Sequence, residues 1–110
     1  MNRVQLMGNL TRDPDLRTTQ EGIAVANISL AVNRRKKNGT DETVYVDITM
    51  WDKRAEAFCR FHQKGAKALI EGRLSMDTWT DKESGNPRTK LKVTAESWEF
   101  VDSKAPARPF

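Results

Sequence analysis

The chain has 110 residues, 37% hydrophobic and 31% charged, with six Gly, four Pro, one Cys and one His. That length gives one domain with a single modest core, and no run approaches the roughly 18 apolar residues of a membrane helix, so no membrane partner is expected. Nineteen Lys and Arg against fifteen Asp and Glu leave a formal charge of +4, which suits a polyanionic partner without requiring one.

Residues 3–10 alternate in character and read as a first strand. The segment Met1 to Leu6 lacks the long apolar region of a secretory signal, and a cytoplasmic location is expected. Left as a bare edge, so apolar a strand would invite pairing with a second chain. Residues 23–34 form a second strand after the turn residue Gly22. Arg34-Arg35-Lys36-Lys37 is a compact cationic block, and Lys37-Asn38-Gly39-Thr40 carries the Asn-Gly signal of a tight hairpin, since both residues tolerate positive φ. Residues 43–51 form a third strand. Over 53–63, Ala55, Phe58, Cys59 and His62 stand at i, i+3, i+4 and i+7, an amphipathic helix with Gly65 as its stop. A fourth strand spans 66–79, Ser84-Gly85-Asn86-Pro87 makes a turn, and a fifth strand spans 89–101. Residues 1–102 are the expected domain, and 103–110 an extended tail. No internal repeat is present.

One cysteine cannot form an internal disulfide or a thiolate metal cluster, and one histidine excludes a multi-histidine site and leaves little for triad chemistry. Cys59 reads as a small buried apolar group and His62 as a helix-end side chain. The spacing of Asp13, Asp15 and Asp47 gives no support to a Mg²⁺-dependent nuclease. Neither an enzyme nor a cofactor is expected.

Five strands with one helix between the third and fourth is the order of an OB-fold, a five-stranded Greek-key barrel that often binds oligonucleotides. A ferredoxin-like fold wants two helices, and an SH3-like barrel usually has none of this length.

The third and fourth strands say more. Val44, Val46, Ile48 and Met50 share one face, an apolar row expected to fill the barrel, while Tyr45, Asp47, Thr49 and Trp51 share the other. In the fourth strand Ala66, Ala68, Ile70, Gly72, Leu74 and Met76 make the inward row, and Lys67, Leu69, Glu71, Arg73, Asp77 and Trp79 the outward one. A wet face bearing large rings marks a contact. Beside cations, such rings suit unpaired bases, which present a π-face whatever their identity, while Lys and Arg neutralise phosphates. The same rings would also suit packing under a loop, the helix or a neighbouring subunit. Trp98 and Phe100 in the last strand are expected to close the core.

The sequence resembles the bacterial-type single-stranded DNA-binding proteins. The resemblance rests on Met1-Asn2-Arg3-Val4, Gly8-Asn9-Leu10-Thr11-Arg12-Asp13-Pro14, the run from Ala24 to Asn33, Lys64-Gly65, Glu71-Gly72-Arg73-Leu74 and Trp79-Thr80-Asp81, in order over about residues 1–101. It implies an OB-fold, a homotetramer with a dimer as the alternative, and sequence-nonspecific coating of single-stranded DNA in replication, recombination and repair. It also implies base stacking on Tyr45, Trp51 and Trp79, and phosphate contacts from Arg3, Lys53, Arg34 and Arg35. Lys36, Lys37 and Arg73 complete the candidate cations by their place in the basic block and on the outward face.

The departures from the family are specific. No ring stands near Lys36, and Ser75, Met76, Asp77 and Thr78 precede Trp79 where basic residues are usual. Val46 replaces a frequent His near the subunit contacts. Longer members end in an acidic tip closing in Pro-Phe; here Pro109-Phe110 follows Lys104 and Arg108 with no acidic run. The chain therefore reads either as a short paralogue or as one lacking the tip, and docking of replication and repair proteins through a tip is not expected. Two alternatives stay open at this point. One is a primosome-like OB module whose main task is docking, and the other is an RNA-binding OB domain.

Overall fold

The alternating segments fold into six strands and one helix in a computed structural model that describes residues 1–101. The order is β1 (Val4–Leu10), β2 (Asp15–Thr18), β3 (Ala24–Arg35), β4 (Asp41–Trp51), α1 (Asp52–Phe61), β5 (Lys67–Thr80) and β6 (Pro87–Phe100). The expected tail at 103–110 and the domain boundary at 102 lie outside the described residues.

β1 pairs antiparallel with β5 along its length and with β3 at Asn9 and Leu10. β3 pairs with β4, and β5 with β6. β4 meets β6 in parallel at only two positions, Ile48 with Val93 and Thr49 with Thr94. These pairings close the five-stranded barrel of an OB-fold, with the helix between its third and fourth strands as expected. β2 is an element that alternation does not announce. It continues the path of β1 along β3: the Thr11 N–H donates to Ser29 O at 3.0 Å, and Asp15–Thr18 then pairs with Ala24–Asn27. Between the two pieces stands Pro14, which has no N–H to give a ladder.

Barrel closure brings backbones close together at two glycines. A Cβ on Gly8 would stand 2.3 Å from the Ala31 carbonyl oxygen, and one on Gly72 2.1 Å from that of Thr94. The second lies at the irregularity between Glu71 and Gly72 where β5 bends over β6.

Ile28, Leu30, Ile48, Met50, Phe58 and Ile70 are the largest fully buried side chains. α1 closes one end of the barrel with Ala55 and Phe58. It starts at Asp52 in the left-handed region (φ +68°), which Asp tolerates better than most residues. It ends at His62, whose N–H donates to Phe58 O at 3.0 Å. The buried His62 ring stacks on Phe58 with centroids 4.0 Å apart, and its Nδ1 lies 3.0 Å from the same carbonyl. Cys59 is half-buried rather than buried. Desolvation, and then the Asp15 charge, push its thiol above the usual pKa, which disfavours the thiolate.

The inward rows extend less far than alternation predicts. Val44, Leu74 and Met76, expected inside, are exposed, and so is Leu91. Ahead of Val46 on β4 and beyond Gly72 on β5, the β3–β4 and β5–β6 hairpins run on as arms, and among the described residues no second layer covers their inner row. Thr49, expected on the wet face, is only 5% exposed, because it sits where β6 seals against β4. Phe100, expected in the core, is exposed with its ring edge-on to Phe61 and Trp98. Trp98 does pack against the core. No helix among the described residues is long and apolar enough to cross a membrane.

Candidate nucleic-acid interface

Directly paired residues in a ladder share a face. In β3–β4 that principle puts Trp51 beside Val25, Thr49 beside Asn27, Asp47 beside Ser29, Tyr45 beside Ala31 and Asp41 beside Arg35. In β5–β6 it puts Trp79 beside Arg88, Asp77 beside Lys90, Ser75 beside Lys92 and Arg73 beside Thr94. The parallel contact of Thr49 with Thr94 joins these two rows into one sheet face. Tyr45, Trp51, Trp79, Arg35 and Arg73 therefore look out from the same side.

Tyr45 is 71% exposed, Trp79 49% and Trp51 39%. Tyr45 and Trp51 are six residues apart on β4, about 20 Å at strand rise. Among the described residues the ring–ring contacts involve only Phe58, Phe61, His62, Trp98 and Phe100. No loop or helix of the described chain buries the three candidate rings, so packing within the monomer does not account for them.

Between the rings lies a polar groove of about 270 Å³, lined by Arg12, Asn27, Asp47, Asp77, Lys90 and Lys92 among others. Lys90 pairs with Asp47. Lys92 Nζ lies 2.9 Å from Asp77 Oδ1 and donates to Thr49 Oγ1 at 3.2 Å. At the tip of the β5–β6 arm, Arg88 Nη2 donates to Asp81 Oδ2 at 2.9 Å. The Asp81 carboxyl is held below its ordinary pKa, first by the Glu83 backbone N–H and then by Arg88 and Ser84.

Most of the expected cations already have carboxylate neighbours. Arg34 stands 3.8 Å from Glu42, Arg35 3.7 Å from Asp41, and Arg73 3.1 Å from Glu96. Arg3 pairs with Glu71, two residues from Arg73 on the same side of β5. In each pair the arginine is exposed, so a phosphate can compete for it at little cost. Arg34 points to the opposite face of the arm from Tyr45 and Trp51, since it alternates with Arg35. Lys36 and Lys37 occupy the hairpin tip, where the Lys36 N–H donates to Thr40 O at 2.8 Å. Lys53 sits in the first turn of α1 beside Trp51. Among the described residues these three lysines form no ion pair.

Sequence reasoning overlooked Arg88, Lys90 and Lys92. Their spacing at i, i+2 and i+4 in a strand is the signal that puts three cations on one face. Among the described residues no group of three or more His, Cys, Asp or Glu could hold a metal ion.

The model of the single-strand binding protein family matches residues 1–101. The chain is 48% identical over 107 residues to a single-stranded DNA-binding protein of Wolinella succinogenes, covering 94% of this chain and 65% of that protein. To the single-stranded DNA-binding protein of Helicobacter hepaticus it is 44% identical over 107 residues, covering 94% and 62%. To single-stranded DNA-binding protein B of Bacillus subtilis it is 42% identical over 105 residues, covering 94% and 92%. The chain thus spans just under two thirds of the first two relatives and nearly all of the third.

Proposed function

The chain belongs to the single-strand binding protein family, and from that premise we propose that it binds and protects single-stranded DNA without reading sequence, in replication, recombination and repair. The observation that carries this reading is the single face on which Tyr45, Trp51 and Trp79 stand uncovered beside cations. Each ring offers a stacking platform worth about 1–3 kcal/mol per base. Arg3, Arg35, Lys36, Lys37, Lys53 and Arg73 neutralise phosphates along the path, with Arg34 at the side of the arm, and release counterions as they do so. On this reading the role is non-catalytic, and single-stranded DNA as ligand supports a location with the nucleoid in the cytoplasm.

The working form is a homotetramer, with a dimer as the alternative. Two surfaces support self-association. β1 uses one edge for β5 but bonds β3 only at Asn9 and Leu10, so residues 4–7 keep an open edge among the described residues. A largely apolar groove of about 420 Å³ opens between β4 and β6, lined by Val4, Leu6, Val46, Leu74, Leu91 and Val93, with Tyr45, Asp47, Lys90 and Lys92 of the ring face also in its wall. Sedimentation at micromolar concentration tests this, and a monomer would contradict both forms.

The binding reading is tested by titrating oligo(dT), oligo(rU) and duplex DNA while following tryptophan emission. Strong quenching by oligo(dT) alone is expected. Stronger quenching by oligo(rU) than by oligo(dT) would move the assignment to RNA. Indifference to all three would favour a docking module.

A further inference from the structure

Asp47 and Asp77 place two carboxylates in the middle of the ring face, where a phosphate backbone would pass. Between Arg73 and Trp79 β5 brings no cation, because Leu74, Ser75, Met76, Asp77 and Thr78 fill that stretch. β6 brings them instead. Arg88 lies opposite Trp79, Lys90 opposite Asp77 and Lys92 opposite Ser75. Lys90 also reaches across the gap where β4 and β6 have separated, to Asp47. Asp47 is two residues from Tyr45, and Lys90 two residues from Arg88, about 7 Å in each case. Pairing and spacing thus place Lys90 between the positions of Trp79 on one arm and Tyr45 on the other.

The two lysines differ in what they have left to offer. The Lys92 side chain is 15% exposed, and its Nζ is engaged by Asp77 and Thr49. Lys90 is 53% exposed and, among the described residues, is engaged by Asp47 alone. An ammonium has three N–H donors, so Lys90 can keep Asp47 and still present two donors to solvent.

Granted the single-stranded DNA reading, on which this rests, we propose that Lys90 is a phosphate-binding residue in the middle of the strand's path, held in place by Asp47. Lys92 plays the supporting part, cancelling the Asp77 charge so that the groove floor does not repel the backbone. Lys90 bridges the stretch between bases stacked on Tyr45 and on Trp79 and supplies the cation that β5 lacks there.

The test is a salt series of oligo(dT) titrations on the full chain and on Lys90→Gln, Lys90→Arg, Lys90→Gln with Asp47→Asn, and Trp79→Ala, with melting temperatures taken alongside. Lys90→Gln should weaken binding by about tenfold, the scale of one hydrogen bond to a charged group. Its log–log salt slope should shrink by about 0.7, as for one lost single-strand phosphate contact. Lys90→Arg should keep both affinity and slope. The double variant should regain part of the affinity, because Asp47 no longer repels, while keeping the shallower slope. Full recovery of affinity and slope in the double variant would overturn the proposal, since Lys90 would then only neutralise Asp47. Lys90→Gln binding as the unaltered chain does, while Trp79→Ala loses affinity, would also overturn it and leave the single-strand reading standing. If the unaltered chain itself fails to bind oligo(dT), the reading falls and the lysine assignment with it.

Discussion

The two ends of the same strands treat the same kind of side chain differently. At the end closed by α1, Ile48, Met50 and Ile70 lie buried against Phe58 and the facing strands. In the arms, Val44, Leu74, Met76 and Leu91 continue the same inner rows and stand exposed. Burial needs a second layer as well as an apolar row, and the described chain supplies that layer only in the barrel body. The arms carry two unspent surfaces, one polar with rings and one apolar. Such a division suits an element that holds a ligand on one side and another subunit on the other.

Substitutions should separate these regions. Phe58→Ala, which empties the plug of the barrel, should cost about 3–5 kcal/mol of folding stability, read as a fall in melting temperature or urea midpoint. In the arms, Leu91→Ser should change the stability of the isolated chain by less than about 1 kcal/mol, as surface changes do. It should instead lower the sedimenting mass if the apolar side meets a second copy. Equal melting losses for the two would erase the distinction between body and arm.

Within the polar side the expected effects are smaller. Arg35→Ala should flatten the salt dependence of oligo(dT) binding by about 0.7 in slope, and Arg34→Ala by less, because Arg34 points away from the rings. Equal slopes would place the strand around the arm tip rather than along one face. At the other arm tip, the lowered pKa of Asp81 means that its contacts contribute fully above the ordinary carboxylate range and fail only as pH falls through the lowered value. Amide signals of Glu83 and Ser84 followed by NMR should therefore hold through mild acid and shift only below the usual Asp titration.

Much of this was legible in the residues. Alternation located all five barrel strands, and the i, i+3, i+4, i+7 spacing of Ala55, Phe58, Cys59 and His62 located α1. The strand faces placed Tyr45, Trp51 and Trp79 together because register follows alternation. β2 was not legible, since its four exposed residues carry no apolar pattern and owe their extension to pairing with β3. The exposure of Val44 and Leu74 was not legible either, because alternation does not say how far the opposite wall extends. Lys90 escaped notice among scattered charges, and its meaning depends on Asp47 of a strand far away in sequence.

The ring face is tested most directly at Trp79. Trp79→Ala, Trp79→Phe and Trp79→Leu should be compared for oligo(dT) affinity, melting temperature and molecular mass on the same samples. Ala should lose about 1–3 kcal/mol of binding, Phe should restore much of it and Leu less, with melting and mass unchanged throughout. Normal binding by Trp79→Ala, or a loss that arrives together with lower melting or a smaller mass, would contradict the account and assign the ring to subunit packing.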